Sequence, residues 1–434
     1  MSLFPEVAKN TFAQGLGRAG VVLITIFTTA LLTRILGVSG YGAYVFIIAL
    51  VMFFVSIADW GTTLIFVRES VRNREEEEKF YGNAFILRFF LSVVAIALIN
   101  FLALFPIFLP LSLPIKIASV LLVLISLKTT CHIIFQTKSK FEYMALTDVV
   151  ISLAFLILLG LAFLIFGFAP TLSGIILAFA VANLLGTIVA FFLARALAKI
   201  NFKLDGAIMR KVALEAIPTG ALLLVFSVYN RLDIFLLQII RGSEPVGIYG
   251  LAYKVHDNLI LGSAYLSAAL FPVISSLVAK SDFQKKLQTI YRKIFDILLI
   301  AGFFVLISVF FLAPVIISII GGPQFGQSVL ALRILVFGTF LAYFNHLTGY
   351  TLVALGKQKV SLVVAVIALI WNLSLNLILI PHYSYLAAAA VTIATEGLVL
   401  VLTSFYLARN FSLYPNITFP KTLIELIKTK GKIF

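Results

Sequence analysis

The feature that most constrains this chain is a series of twelve apolar stretches, each long enough to cross a lipid bilayer as a helix. A hydrocarbon core about 30 Å thick requires roughly 20 apolar residues per helical crossing. Hydrophobic residues make up 62% of the chain and charged residues 12%, whereas soluble domains contain about 45–50% and about 25%. The sequence therefore predicts an all-α polytopic membrane protein and excludes most classes of soluble enzyme and binding module.

The twelve apolar stretches, which we number in chain order as predicted crossings, alternate in the charge of the segments that join them. They span residues 12–36, 43–66, 83–105, 115–135, 146–168, 172–194, 214–240, 246–278, 294–320, 328–354, 360–380 and 385–407. Lysine and arginine are concentrated in the N-terminal segment, in every second gap and in the C-terminal tail. Positive charge is retained in cytoplasmic loops. The pattern therefore predicts a multi-pass protein of the cell (plasma or inner) membrane with both termini in the cytoplasm.

The net charge of +15 follows from this asymmetry, which also favours contact with anionic lipids of the inner leaflet. We therefore expect membrane lipids, and no nucleic acid, among the partners. The single cysteine, Cys131, lies inside the fourth crossing, which excludes an intramolecular disulfide and a cysteine-based metal site. The sequence has no phosphate-binding glycine loop, so we expect neither a cofactor nor ATP hydrolysis.

An internal repeat relates the exits of the first and seventh crossings. At a constant offset of 205 residues, two leucines, two glycines and one tyrosine coincide without a gap. The matched glycines and tyrosines are Gly37 with Gly242, Gly42 with Gly247, and Tyr44 with Tyr249. A six-helix unit used twice explains the match. Since six is even, both halves enter the membrane in the same orientation, and we expect a pseudo-two-fold axis along the membrane normal.

The repeat and the charge pattern together predict four parts. They are an N-lobe of residues 1–198 with six crossings, a cytoplasmic linker of residues 199–211, a C-lobe of residues 212–410 with the other six, and a cytoplasmic tail of residues 411–434. The tail intersperses apolar residues with basic ones. This pattern is typical of an amphipathic helix that lies in the membrane interface.

Ionisable residues inside the crossings are candidates for function, because each costs about 2.5–3.5 kcal/mol at mid-helix and usually faces protein or water. The candidate substrate-binding cations are Arg18, Arg88, Lys128, Arg231, Lys254 and Arg333. The candidate coupling residues or counter-ions are Asp59, Asp233 and Glu396. In the first six crossings, three cations thus oppose Asp59 alone. Asp59 is also a candidate ion-pair partner of Arg18 or of Arg88, which would make those cations structural.

Two further candidates have alternative readings. Lys254 can pair with Asp257, three residues away on the same helix. Glu396 is either a counter-ion of Arg333 or a site for a coupled cation. The sequence leaves these alternatives open.

Several short motifs resemble those of one family of membrane transporters. In the first half they are Arg34-Ile35-Leu36-Gly37, Tyr41-Gly42-x-Tyr44, Asp59-Trp60-Gly61, Arg68-Glu69 and Leu87-Arg88; in the second half they are Pro218, Asp233, Gly247-Ile248-Tyr249, Ala252-Tyr253-Lys254 and Ala269-Leu270-Phe271-Pro272. Over roughly residues 11–409 their order is similar to that of polysaccharide-repeat flippases, the Wzx-type translocases of lipid-linked oligosaccharides. The resemblance implies a place in the superfamily of multidrug and toxin extrusion antiporters and lipid II flippases. It also implies two six-helix lobes around a central cavity that opens to each side in turn.

Two functions fit these observations. The first is translocation of a polyprenyl-(pyro)phosphate-linked oligosaccharide from the inner to the outer leaflet, with cationic side chains replacing the hydration of the phosphate. The second is ion-coupled export of drugs or other small molecules, for which a carboxylate-dominated cavity is needed. Arg18, together with the lack of an acid in the first crossing, favours the anionic cargo.

We expect a transporter and not an enzyme. A membrane-bound glycan polymerase or ligase needs catalytic groups on a sizeable outer loop, and the predicted outer loops here are short and poor in histidine and acids. The expected partners are the lipid-linked glycan, membrane lipids, and the polymerase or glycosyltransferase machinery of lipopolysaccharide or exopolysaccharide synthesis. Sodium ions, protons and the membrane potential all stay open as energy sources.

Overall fold

The computed structural model describes the backbone of residues 4–166, 171–277 and 283–414. Side chains are described for residues 20–162, 171–267 except 222 and 226, 274, and 284–414. Within these ranges the regular structure is entirely helical. A helix is suited to a bilayer because it satisfies its backbone hydrogen bonds internally. The predicted amphipathic tail helix and the side chain of Arg18 lie outside the described residues.

Thirteen α-helices occupy most of the described part of the chain. They are α1 (Phe4–Asp59), α2 (Thr62–Arg72), α3 (Glu77–Leu102), α4 (Ser112–Ala118), α5 (Val120–Thr137), α6 (Phe141–Phe166), α7 (Leu172–Leu197), α8 (Gly206–Tyr229), α9 (Leu232–Arg241), α10 (Ser243–Leu277), α11 (Phe283–Gly321), α12 (Ser328–Ala354) and α13 (Gln358–Phe411). Short 3-10 helices are described at Arg74–Glu76, Pro106–Leu111 and Pro323–Phe325.

Two of these helices bend sharply, and each contains two crossings. Helix α1 turns at Gly37, where φ is 67°, a value that glycine adopts without a steric penalty. Helix α13 turns at Ser384, where φ is 53°. Pro381 precedes this turn and lacks the backbone N–H that would continue the helix. Both turns fall in gaps that the sequence predicts between crossings.

The number of crossings agrees with the sequence. Nine described segments are long and apolar enough to cross a membrane, and two of them, Gly20–Arg72 and Gln358–Phe411, contain two crossings each. Helix α10 supplies the predicted eighth crossing, while α4 with α5 form the fourth and α8 with α9 the seventh. The prediction of an all-α polytopic membrane protein with about twelve spanning helices is confirmed.

The chain forms two compact units. The first unit comprises Met1–Phe235 and Ile320–Gly322, and the second comprises Leu236–Ile319 and Pro323–Phe434. The first unit therefore includes α8 in addition to the first six crossings. The predicted lobes of residues 1–198 and 212–410 rest on the sequence repeat and stay a prediction.

One end of the first unit collects the charged segments that join its helices, and we call it the basic end. Its contacts are an ion pair of Arg68 with Glu215, Lys211 Nζ to a Glu69 oxygen at 2.5 Å, Lys138 Nζ to a Glu77 oxygen at 2.5 Å, and Asn201 N to Glu78 O at 3.0 Å. Beside it lies an apolar core that includes Phe66, Tyr81 and Phe135. Helix α8 is thus attached to α2 at the basic end.

The Glu69 carboxylate at this end is expected to make stability depend on pH. The hydrogen bond from Lys211 is the main cause that lowers the pKa of Glu69 below its usual value. A carboxyl group with a lowered pKa stabilises the fold above its unfolded pKa, about 4.3, and the contribution is lost as pH falls through the folded pKa. Lys211→Met should therefore lower the unfolding temperature in detergent at pH 7, and the difference from wild type should shrink at about pH 3. Equal differences at both pH values would contradict this.

Candidate functional site

The break between α1 and α2 places a carboxylate at the start of a helix. Trp60 and Gly61 have positive φ angles of 44° and 73° and turn the chain after Asp59. Asp59 Oδ1 accepts a hydrogen bond from Thr63 N at 3.1 Å, as a helix N-cap does at the positive end of the helix dipole. The hydroxyls of Thr62 and Thr63 also donate to this oxygen. The Asp59 side chain is therefore held in one orientation.

Arg88 on α3 is the buried partner of this carboxylate. Its side chain is 1% exposed, whereas that of Asp59 is 28% exposed. The guanidinium donates to Asp59 Oδ1 and Thr63 Oγ1 from Nη2, to Thr62 Oγ1 from Nε at 3.3 Å, and to Thr129 Oγ1 from Nη1 at 3.0 Å. These contacts join α1, α2, α3 and α5, and every guanidinium nitrogen has an acceptor. The structure thus places Arg88 in the Asp59 pair that the sequence left open.

A second ion pair joins α5 to α6. Lys128 Nζ donates to Asp148 Oδ1 at 2.8 Å, and the lysine side chain is 13% exposed against 35% for the aspartate. One turn further along α5, the buried His132 contacts Thr147 Oγ1 through Nε2 at 3.2 Å. Thr129, which accepts a hydrogen bond from Arg88, is the residue after Lys128 on α5. The two ion pairs therefore belong to one polar cluster of the first unit.

The polar cluster pairs each described cation with an acid. In both pairs the cation is more buried than the carboxylate, so the accessible part of each pair is the negative partner. The sequence predicted three cations opposing one acid in the first six crossings. Asp148, at the inner end of the fifth crossing, supplies a second acid and balances Lys128. Of these three cations, only Arg18 has a side chain outside the described residues.

Arg231 and Asp233 lie at the junction of α8 and α9. Asp233 is buried, and its Oδ1 accepts a hydrogen bond from Ile234 N at 2.8 Å. Arg231 is partly buried, and its N–H donates to Val228 O at 3.1 Å. Both residues take part in further interactions. Their role as substrate ligand and counter-ion stays a prediction.

The remaining candidates lie in the second unit. Glu396 Oε2 accepts a hydrogen bond from Asn345 Nδ2 at 2.6 Å. Arg333 donates from Nε to Phe310 O at 3.1 Å and lies over the Phe310 ring at 5.2 Å. Among the described residues Glu396 and Arg333 form no ion pair with each other, so the counter-ion reading of Glu396 receives no support. Lys254 on α10 is partly buried and has a polar partner.

Some residues of these clusters carried weak signals in the sequence. Thr62 and Thr63 form one Thr-Thr pair and Thr129 belongs to another, with Thr130, and hydroxyl groups of this kind are common on membrane helices. Asn345 lies 51 residues from Glu396 in sequence, so no spacing marks it as the partner of that carboxylate. Lys128 and His132 are four residues apart and share one helix face, which was the available signal for a polar site on α5.

Comparison with known proteins assigns the chain to a family. The polysaccharide biosynthesis protein family matches residues 7–278, which is more than half of the chain. The chain belongs to this family. A second family, MatE, matches residues 218–378, which places these polysaccharide transporters of the Wzx type in one superfamily with multidrug and toxin extrusion proteins. The resemblance stated from the sequence motifs is confirmed.

Two relatives are similar to this member of the polysaccharide biosynthesis family in sequence. The capsular polysaccharide biosynthesis protein CapF of Staphylococcus aureus is 25% identical over 48% of this chain, and the match spans about half, 52%, of its own length. A protein of Shigella flexneri that is assigned as an O-antigen transporter is 22% identical over 95% of this chain and 100% of its own length. These relatives support the prediction that the chain is a transporter and not an enzyme.

The fold of the family member is that of a solved flippase. The lipid II flippase MurJ in an inward closed conformation superposes on this chain with a TM-score of 0.74. The superposition covers 97% of this chain and 93% of the MurJ chain. The sequence identity is 16%, so this likeness carries the fold and nothing finer.

Proposed function

We propose that the chain translocates a polyprenyl-(pyro)phosphate-linked oligosaccharide from the inner to the outer leaflet by alternating access. The family and the O-antigen transporter relative support a lipid-linked glycan as cargo, and the flippase fold supports a movement between leaflets. The polymerase or glycosyltransferases of the same glycan are proposed as neighbours in the membrane. The cationic side chains are proposed to bind the phosphate headgroup.

The observation that carries the phosphate assignment is the Lys128–Asp148 pair. Lys128 makes one described contact with a carboxylate that is itself 35% exposed. An incoming phosphate can replace that carboxylate at the ammonium group. Both groups are oxygen anions, and the compact positive charge of a lysine ammonium group can bind either of them. Arg88 differs, since four described contacts already engage all its nitrogens. We therefore place the first headgroup contact at Lys128, with Arg88 orienting Asp59 nearby.

Headgroup binding by purified protein tests this assignment. We expect wild type in detergent to bind a short polyprenyl phosphate at least tenfold more tightly than the uncharged polyprenol of equal length, since a hydrogen bond to a charged group contributes about 1.5–3 kcal/mol. Asp148→Asn removes the competing carboxylate and should tighten phosphate binding further. Equal binding of phosphate and alcohol would overturn the phosphate site.

The membrane potential is expected to drive export. Because Asp148 already balances Lys128, a bound phosphate gives the loaded carrier a net negative charge that the empty carrier lacks. An inside-negative potential favours outward movement of that charge by about 2.3 kcal/mol per 100 mV for full transfer. In liposomes without a pH or sodium gradient, a potassium diffusion potential should therefore stimulate turnover, and Glu396→Gln should retain the stimulation. Turnover that ignores voltage but stops when a sodium or proton gradient is collapsed would favour ion coupling at Asp59 or Glu396.

The proposed location is the cell membrane, with both termini in the cytoplasm. This topology predicts that a cysteine in place of Ser39, at the exposed turn after the first crossing, reacts with an impermeant thiol reagent added outside intact cells. A cysteine in place of the exposed Ser139, in the gap between the fourth and fifth crossings, should stay unlabelled until the cells are opened. Native Cys131 is buried and serves as the background. Labelling of the Ser139 site and protection of the Ser39 site in intact cells would invert the topology.

A drug antiporter is the second candidate, and the partly exposed carboxylates of Asp59 and Asp148 favour it, as does the MatE match. Partly exposed acids can bind an organic cation. A cationic dye supplied to the same liposomes as the glycan lipid separates the two functions. Dye transport that depends on Asp59 and Asp148, without glycan translocation, would select the antiporter.

A further inference from the structure

A groove lined by phenylalanine lies on the first unit, near the basic end. Its volume is about 740 Å³, and α3, α5, α7 and the segment of residues 198–205 form its walls. The aromatic lining consists of Phe85, Phe89, Phe90, Phe191, Phe192 and Phe202. No residue of the polar cluster lines this groove. It therefore constitutes a site separate from the candidate ion pairs.

The lining of the groove is apolar, so it can contact a hydrocarbon chain but presents no free polar group to a ligand. Thr187 is one of the two lining residues that carry a polar group. Its hydroxyl donates to Leu124 O at 3.0 Å and to Asn183 O at 2.7 Å. The other is Cys131, which is fully buried. Phe90 and Phe192 are 58% and 68% exposed, so the groove is open along helices that span the bilayer. The surrounding medium at that surface is lipid chain.

The end of the groove is fixed by a clamp between α3 and the segment of residues 198–205. The buried Asn83 donates to Lys203 O at 3.2 Å and accepts from Asp205 N at 2.9 Å. At Gly82 a Cβ would lie 1.7 Å from Asn201 O, so the segment rests directly on the helix backbone. These contacts place the Phe202 ring 5.9 Å from that of Phe85. The groove is thus closed toward the basic end by a side chain on an anchored segment.

Cationic groups stand at this closed end. The Arg195 guanidinium lies over the Phe191 ring of the groove wall at 5.9 Å, and Lys199 and Lys203 are exposed on the adjoining segment. The nearby Asp205 carboxylate accepts from Ala207 N and Ile208 N at the start of α8. Arg195 therefore faces an apolar wall on one side and is free to meet an anion at the membrane surface on the other.

We propose that the groove binds one hydrocarbon chain of an anionic phospholipid whose phosphate is held by Arg195. Basic residues at the end of an apolar cleft between membrane helices suit such lipids, and by the predicted topology this end faces the inner leaflet, where anionic lipids are found. The groove is apolar throughout, which matches the chain, and the cation lies at its end, which matches the headgroup. The proposal concerns a resident lipid and does not depend on the transported cargo.

Lipid retention by purified, delipidated protein tests the site by native mass spectrometry. Phosphatidylglycerol should be retained about tenfold more than phosphatidylcholine with the same chains, since a hydrogen bond to a charged group contributes about 1.5–3 kcal/mol. Arg195→Gln should remove this preference, whereas Arg409→Gln, at an exposed arginine in the last turn of α13, should preserve it. Ile188→Trp, which fills the groove, should lower retention of both lipids, whereas Leu177→Trp, exposed on the same helix but outside the groove, should not.

Each variant must keep the unfolding temperature of wild type for the comparison to count, and Arg195→Lys serves as a milder change that retains the charge. Retention that is unchanged in both Arg195→Gln and Ile188→Trp would overturn the proposal. Preferential binding of polyprenyl phosphate over phosphatidylglycerol, lost in Ile188→Trp, would also overturn it and assign the groove to the tail of the cargo.

Discussion

Replacing Arg88 by Leu is expected to destabilise the protein strongly. The variant leaves Asp59 without its cationic partner and also leaves the hydroxyls of Thr62, Thr63 and Thr129 without their donor. Breaking a buried ion pair from one side costs about 3–5 kcal/mol, because the remaining charge is uncompensated. We expect little folded protein in the membrane and a clearly lower unfolding temperature in detergent.

A paired variant separates charge from packing. Arg88→Leu combined with Asp59→Leu removes both charges and should recover part of the lost stability, since an apolar pair is often as stable as the ion pair it replaces. Arg88→Lys retains a charge but lacks the planar fork that reaches several oxygens, so an intermediate result is expected. Arg88→Leu protein that is as stable as wild type would contradict the structural role of the pair.

Lys128→Gln is expected to lower transport by about tenfold or more while the protein stays folded. The residue is the proposed first contact of the phosphate, and one charge-assisted hydrogen bond contributes about 1.5–3 kcal/mol. Lys128 makes one described contact, against four for Arg88, and its partner Asp148 is 35% exposed, so stability should change less than in Arg88→Leu. The initial rate of transport is measured at saturating and at limiting concentrations of the glycan lipid. The unfolding temperature of the same variant is measured alongside.

Lys116→Gln is the matched control for this prediction. Lys116 is an exposed lysine of α4 in the same crossing as Lys128, and its loss should leave transport unchanged. Asp148→Asn, which removes the competing carboxylate, should tighten binding of the glycan lipid. If Lys128→Gln and Lys116→Gln transport at the same rate, the phosphate site lies elsewhere.

The fold was predictable because a bilayer leaves a chain few choices. Apolar stretches of about 20 residues form spanning helices, and Gly37 marks the turn between the first two crossings by its positive φ. Helix breaks inside a crossing were less predictable. Residues 230–231 separate α8 from α9 within the predicted seventh crossing, and no proline or glycine stands there to mark the break in the sequence.

The candidate site was predictable in its residues and less so in their pairing. The free-energy cost of placing a charge inside the membrane singled out Arg88, Lys128 and Asp59. The sequence also offered the Arg88–Asp59 ion pair as an alternative to substrate binding by Arg88. The partner of Lys128 is 20 residues away on the next helix, so sequence spacing alone could not reveal it. Arg333 meets a backbone carbonyl and an aromatic ring on α11, which no charge pattern encodes.

Translocation by the purified protein in liposomes tests the central claim most directly. A fluorescent polyprenyl-pyrophosphate oligosaccharide is placed in one leaflet, its arrival in the other is followed by an impermeant quencher, and a cationic dye is assayed in parallel. We predict glycan lipid translocation under an applied potential, a loss of about tenfold in Lys128→Gln, and no protein-dependent movement of the dye. Dye movement without glycan translocation, in protein that is folded and correctly inserted, would contradict the account.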